Sequence, residues 1–340
     1  LHLEKLGWSS YWERILHETH QTITLSREST SAGRVVAAHR GWLDTETEAG
    51  PVRVPGVTAA VGDWVLIDPT APRILAVLPR RSHISRKSAG GRTEEQVLAA
   101  NVDVAILVMG LDGDFNLRRL ERFLVVVEES GARPLVVLNK VDLCGDSESQ
   151  LHLVRTVARA VPVVVMSALR DDVAELLSQH LCAAESAALL GSSGAGKSTM
   201  LNALLGEDRQ PTQAVREHDQ RGRHTTTTRQ LIASPQGWLI FDLPGLREVQ
   251  LWAGRESLDA AFDEIAELAK SCRFRDCRHQ GEPGCAVTDS VATERLDSYH
   301  RLEREIESLD RRRDGLAEQE EKRRWKQIHK ELRHHPKFNR

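Results

Sequence analysis

The chain has no apolar run long enough to cross a bilayer. Its longest apolar stretches, 102–111 and 161–166, fall well short of the ~20 residues a spanning helix needs. A strong charge of either sign is also missing: Lys and Arg number 46 against 49 for Asp and Glu, a net charge of −3. That excludes a surface coating nucleic acid as a whole and confines any RNA contact to local basic patches. Cysteine is scarce and odd in number, five in 340 residues, which argues against a disulfide framework. The opening residues, LHLEKLGWSSYWERILHE, have neither a basic segment nor a continuous apolar core, so a secretory signal is not expected. Internal repeats are not visible. These absences predict a globular protein of the cytoplasm with no membrane partner.

The chain is long enough for two or three domains, and 40% apolar residues suffice for buried cores. Residues 1–84 carry short β-like runs at 22–25, 34–38, 63–67 and 73–78, punctuated by Gly and Pro, as in a small β-barrel. From about residue 102 the pattern changes to apolar strands followed by amphipathic, helix-length segments. Runs at 104–108, 135–138, 163–165, 187–190 and 239–241 predict the buried parallel strands of a doubly wound α/β sheet. No strands are expected after about residue 258, and the tail from 293 is charged and helix-favouring. The expected division is 1–84, 85–255 and 256–340, with 80–92, rich in Ser, Gly, Arg and Lys, as linker.

Residues 191–198 read GSSGAGKS, after the apolar AALL and before the helical MLNALL. A loop of this form binds phosphate because its glycines let backbone N–H groups wrap the anion at a helix N-terminus. Gly191, Ser192, Ser193, Gly194, Ala195 and Gly196 would form the cradle, with Thr199 in the helix that follows. Lys197 would reach the β- and γ-phosphates and Ser198 would ligate Mg²⁺.

A second apolar strand ends in Asn139-Lys140-Val141-Asp142. The Asp142 carboxylate can accept from guanine's ring N–H and its exocyclic amine, donors adenine lacks at that edge. Ser167-Ala168 ends a third strand, where a backbone N–H could meet the guanine carbonyl oxygen. Asp242-Leu-Pro-Gly245 ends another: Asp242 would hold a Mg²⁺-bound water and the Gly245 N–H would meet the γ-phosphate. Between it and the phosphate loop lies GRHTTTTR, 222–229, in which Thr225 or Thr226 is expected to ligate Mg²⁺ when GTP is bound. A flexible polar loop would have the same composition. The order is therefore guanine motif, Ser-Ala, phosphate loop, Thr run, DLPG, the usual GTPase cycle entered at a different point. Circular permutation preserves the sheet provided the old termini lie close together.

Cys272, Cys277, His279 and Cys285 fall within CRFRDCRHQGEPGC. Three thiolates and an imidazole suit one closed, structural zinc site with no open position for catalysis. Basic clusters occur at 219–223, 311–313 and 322–330. KRRWK at 322–326 has the character for phosphate contact plus stacking, and equally that of a solvated helix face.

AANVD (99–103), GLDGDFNLRR (110–119), GRHTTT (222–227) and CRFRDC (272–277), with the motifs above, resemble the RsgA family of GTPases dependent on the small ribosomal subunit, over essentially the whole chain. The resemblance implies an N-terminal OB-fold β-barrel, a circularly permuted P-loop GTPase domain and a C-terminal zinc-binding helical domain. It implies GTP hydrolysis to GDP in late maturation of the small subunit, stimulated by that subunit, with the subunit and its rRNA as partners; the chain itself is expected to be a monomer. An RNA-binding scaffold with structural GTP, or a GTPase acting on another cytosolic RNA, are the other readings. Ras-like enzymes place a water-orienting Gln after the glycine of the DxxG motif, but Leu246 stands here, so intrinsic hydrolysis should be slow. His224, beside the Thr run, is the expected catalytic residue, against the alternative that it packs on a partner.

Overall fold

The structure, a computed structural model, describes residues 2–23, 30–56, 59–87, 95–206, 229–243 and 252–333, the side chains of 23, 87, 314 and 316–333 excepted. The chain divides into two units, one of residues 1–86 with 97–250, the other of 87–96 with 251–340. Among the described residues, no helix is long and apolar enough to cross a membrane.

The first unit begins with α1 (Ser10–Ile23). Then come the antiparallel strands β1 (Ser31–Ala38), β2 (Trp42–Thr47), β3 (Gly50–Pro55), β4 (Trp64–Ile67) and β5 (Ile74–Val77). Strand β1 pairs with β2 and β4, β2 with β3, and β4 with β5. In β2 buried positions alternate with exposed or half-buried ones, as one-sided burial requires, and Val35, Leu43, Val54, Val65 and Ile67 share a core. The strand expected at 22–25 is not found. Thr22 and Ile23 close α1, and 24–25 lie outside the described residues. Local β-propensity is overridden because Trp12, 1% exposed, docks the helix on Trp64.

A ribbon of β6 (His83–Lys87) and β7 (Glu95–Ala100) follows, so part of the expected linker is strand. Next come β8 (Val104–Gly110), α2 (Leu117–Ser130), β9 (Arg133–Asn139), α3 (Ser147–Val157), β10 (Val163–Val165) and α4 (Val173–Leu177). Strand β11 (Ser186–Leu190), α5 (Lys197–Leu205), β12 (Arg229–Ala233) and β13 (Leu239–Asp242) complete the unit. Strands β10, β9, β8, β11 and β13 are parallel neighbours in that order, and every residue of β8 and β11 is buried. Burial on both faces explains their unbroken apolar sequences. The order runs one way from β8 through β9 to β10 and the other way from β11, so β8 and β11 flank the reversal point where open α/β sheets bind ligands.

The antiparallel strand β12 joins β13 to β1, pairing Gln230 with Ala37 and Arg229 with Ala38, so N-terminal and central strands form one sheet. Buried Arg34 reinforces the joint. Its guanidinium donates to the carbonyls of Leu6, Gly62 (3.3 Å) and Asn101 (3.2 Å) and lies 5.3 Å from the Trp64 ring centre. Burial pushes its pKa down to about 10, which leaves it charged at neutral pH.

The second unit contains α6 (Arg255–Ala261), α7 (Asp263–Ala269), α8 (Ala286–Ser290) and α9 (Thr293–Arg333). Helix α9 buries Tyr299, Leu302, Ile306 and Leu309, the three- and four-residue spacing of one helical stripe. Arg295 pairs with Glu264 at 2.7 Å and stacks on Phe262 at 3.9 Å, fixing α9 to α7.

Candidate nucleotide site and metal centre

The loops leaving the carboxyl ends of β8, β9, β10 and β11 meet at the reversal point. Between β11 and α5, residues 191–196 turn sharply. A Cβ on Gly191 would sit 2.2 Å from the Val108 carbonyl oxygen, and one on Gly196 would sit 2.0 Å from Asn139 Nδ2. Gly196 caps α5 in the left-handed region at φ 99°, where only glycine is unstrained. Lys197 Nζ donates to the carbonyls of Gly191 (2.8 Å) and Ser192, lying along the inside of the loop.

Asn139, 2% exposed, ties three separately encoded loops together. Its Nδ2 donates to the Ala195 carbonyl at 2.9 Å, and its Oδ1 accepts from the Ala168 N–H at 2.9 Å. The Val141 N–H donates to the Met166 carbonyl at 3.2 Å, holding the Asn-Lys-Val-Asp turn against the end of β10. The Asp142 side chain is 10% exposed, with Arg170 at 3.8 Å. In the Ser-Ala turn the Ser167 N–H donates to Asp171 at 2.7 Å, so the N–H groups of both Ser167 and Ala168 are engaged within the protein. The Ser167 hydroxyl, by contrast, is buried without a protein partner. An orphaned polar atom beside the Asn-Lys-Val-Asp turn fits a site that receives a polar ligand.

The loop after β8, within GLDGDFNLRR (110–119), brings two further carboxylates to the site that its residue pattern alone does not single out. Asp112 Oδ2 accepts from Lys140 Nζ at 2.6 Å, and its Oδ1 accepts from the Asp114 N–H at 3.1 Å. Asp114 accepts from the Ser192 hydroxyl and pairs with Arg119 on α2. Burial raises the Asp112 pKa, but the Lys140 ammonium and the Asp114 N–H outweigh it and hold the carboxyl below the usual carboxylate range. The signal was two acidic residues flanking a glycine directly after a fully buried strand.

Asp242 ends β13, half-buried and opposite Gln230 of β12. His224, Thr225, Thr226, Gly245 and Leu246 lie outside the described residues, as does the basic cluster 219–223.

In the second unit the ligand atoms of Cys272, Cys277, His279 and Cys285 all lie within 4.8 Å of one another. Cys272 Sγ is 3.9 Å from Cys285 Sγ and 3.7 Å from His279 Nδ1, which is 3.4 Å from Cys285 Sγ. A tetrahedron with zinc–sulfur bonds of about 2.3 Å has sulfur–sulfur edges of roughly 3.8 Å, so the cluster has the right size for such an ion. Two local devices hold it. The Glu282 carboxylate accepts from the N–H groups of Gln280 (2.7 Å) and Arg278 (3.0 Å), clamping the turn that carries His279. Cys285 caps α8, accepting from the Thr288 N–H at 3.5 Å.

The model of the RsgA GTPase family matches residues 77–252. The chain belongs to the RsgA GTPase family. It is 45% identical over 333 residues to the small ribosomal subunit biogenesis GTPase RsgA of Opitutus terrae, covering 92% of this chain and 88% of that one. It is 39% identical over 324 residues to the protein of the same name from Methanosarcina acetivorans, covering 90% and 88%. Among solved structures, YjeQ from Thermotoga maritima superposes with a TM-score of 0.61 at 26% identity, covering 82% of this chain and 98% of that one. The circularly permuted GTPase YloQ, 23% identical with a TM-score of 0.61 over 84% and 98% of the two chains, shares the fold. In this member of the RsgA GTPase family the Asn-Lys-Val-Asp segment at 139–142 precedes the glycine-rich loop at 191–198, an order that the parallel strands β9 and β11 accommodate within one sheet.

Proposed function

We propose that the chain hydrolyses GTP to GDP and phosphate during late maturation of the small ribosomal subunit, acting as a cytoplasmic monomer stimulated by that subunit. The observation that carries this reading is Asn139, one buried side chain joining the guanine loop, the Ser-Ala turn and the phosphate loop, in a chain whose relatives bear the name of a small-subunit biogenesis GTPase.

In this reading the backbone N–H groups of 191–196 and the N-terminus of α5 hold the phosphates, with Lys197 on the β- and γ-oxygens. Asp142 accepts from the guanine base, while Ser167 and Ala168 close its edge. Ser198, Asp242 and Thr225 or Thr226 would hold Mg²⁺, which neutralises charge developing on the phosphoryl oxygens. Leu246 offers no group to orient water, so His224 is assigned that task in the subunit-bound protein. Cys272, Cys277, His279 and Cys285 would hold one zinc ion whose role is structural. The strands before residue 85 are assigned to an OB-fold. The boundaries 1–84, 85–255 and 256–340 describe the corresponding barrel, GTPase and zinc-binding domains.

The deciding experiment is GTP turnover with and without purified small subunits. Strong stimulation is expected. Turnover indifferent to the subunit would overturn the ribosomal assignment, and equal affinity for ATP and GTP would overturn the guanine one.

A further inference from the structure

The loop between β8 and α2 contacts both halves of the candidate nucleotide site, though it contains neither nucleotide motif. The backbone is shaped for this. At Gly110 a Cβ would sit 2.6 Å from Asp112 Oδ1, so a larger residue there would have to displace that carboxylate. The Leu111 N–H donates to the Asn139 carbonyl at 2.8 Å, and the Phe115 N–H donates to the Asp112 carbonyl at 3.1 Å. The turn therefore folds back and delivers its two carboxylates in different directions. Asp112 reaches the guanine loop at Lys140 Nζ, and Asp114 reaches the phosphate loop at the Ser192 hydroxyl. Asn116 then caps α2, accepting from the Arg119 N–H at 3.1 Å, and Arg119 returns to Asp114.

Resting on the guanine-nucleotide reading above, we propose that Asp112 and Asp114 are positioning residues for the bound nucleotide, Asp112 acting through Lys140 on the base side and Asp114 through Ser192 on the phosphate side. Neither carboxylate needs to touch the nucleotide. Asp112 holds the Lys140 ammonium in one direction, so that the stem of the side chain has a fixed course past the base. Asp114 fixes the second residue of the phosphate loop, and Arg119 offsets the negative charge that this brings close to an anion site.

Electrostatics and positioning predict opposite signs, which makes the proposal testable. Replacing either aspartate by asparagine removes a negative charge near an anionic ligand, and by charge alone should tighten nucleotide binding. Loss of positioning should weaken it. The measurement is the GDP dissociation constant of the full-length protein for Asp112→Asn, Lys140→Gln and their double variant, and for Asp114→Asn, Ser192→Ala and theirs. Each aspartate variant should weaken GDP binding about tenfold, the scale of a lost hydrogen bond to a charged group. Each double variant should bind no more weakly than the weaker of its two singles, because the aspartate acts only through its partner. Should an aspartate variant fail to fold, Ser192→Ala, which removes a single hydroxyl, must by itself reproduce the phosphate-side loss. Unchanged or tighter binding overturns the proposal, as do fully additive losses in the double variants. Failure of the unaltered protein to bind GDP would instead overturn the guanine-nucleotide reading itself.

Discussion

Asn139 and Gly196 are fitted to each other. The Asn139 amide that holds the Ala195 carbonyl occupies the space a Cβ on residue 196 would fill, 2.0 Å from Nδ2. The residue that organises the Asn-Lys-Val-Asp turn thus also requires glycine in the loop before α5.

Gly196→Ala should therefore damage nucleotide binding more than a simple loss of flexibility would. The left-handed backbone at φ 99° alone costs about 1–2 kcal/mol for a residue with a Cβ, and displacing Asn139 adds to it. Titration should show GDP affinity lower by at least about tenfold. Affinity within a factor of about two of the parent would show that the loop relaxes freely.

Asn139→Ala leaves the Ala168 N–H and the Ala195 carbonyl without their partner. At about 1–3 kcal/mol for each buried group left unsatisfied, a lower melting temperature is expected even in nucleotide-free protein. Asp142→Asn should behave differently, because it replaces one acceptor by a donor on the base-reading side chain. Preference should move from guanosine to xanthosine nucleotides with little change in melting temperature. Retained preference for GDP would remove Asp142 from the base-reading role.

Elemental measurement should find about one zinc per chain, bound by three thiolates and one imidazole. Cys277→Ser should lower that content and destabilise the second unit while leaving GDP affinity largely intact. Zinc-free protein in which the second unit remained folded would rule the metal out.

The Asp112 carboxyl also predicts a pH dependence. Its folded pKa is held below the ordinary 3.8 by Lys140 and the Asp114 N–H, against burial. A depressed folded value means its contribution is fully present above the unfolded value and is lost as pH falls through the folded one. Denaturant stability of nucleotide-free protein should fall from about pH 5 downward less steeply in Asp112→Asn than in the parent. Identical slopes would show that Asp112 takes no part in the acid response.

His224→Ala should leave GTP affinity and subunit docking nearly unchanged and reduce stimulated turnover by about two to three orders of magnitude, the scale of a lost transition-state group. Arg323→Ala and Lys326→Ala should instead weaken subunit association and its salt dependence. At saturating subunit the docking variants should regain turnover and the His224 variant should not. Its recovery there would make His224 a contact residue.

The local sequence by itself determined the candidate chemistry. The segments 139–142, 191–198 and 272–285 are short, contiguous patterns whose residue types fit a guanine base, a phosphate chain and a metal ion, and unbroken apolar runs gave away the parallel strands because those are buried on both faces. Tertiary structure alone decided three things. Strand β12, with a single buried residue among partly exposed ones, was not distinguishable from a loop until β1 and β13 paired with it. The Thr22–Ile23 pair joined a helix because a buried tryptophan upstream fixed the segment against Trp64. Asp112 and Asp114 gained partners 28 and 78 residues away, and a contact across that separation leaves no periodicity in the chain, since it depends on which strands the fold places side by side.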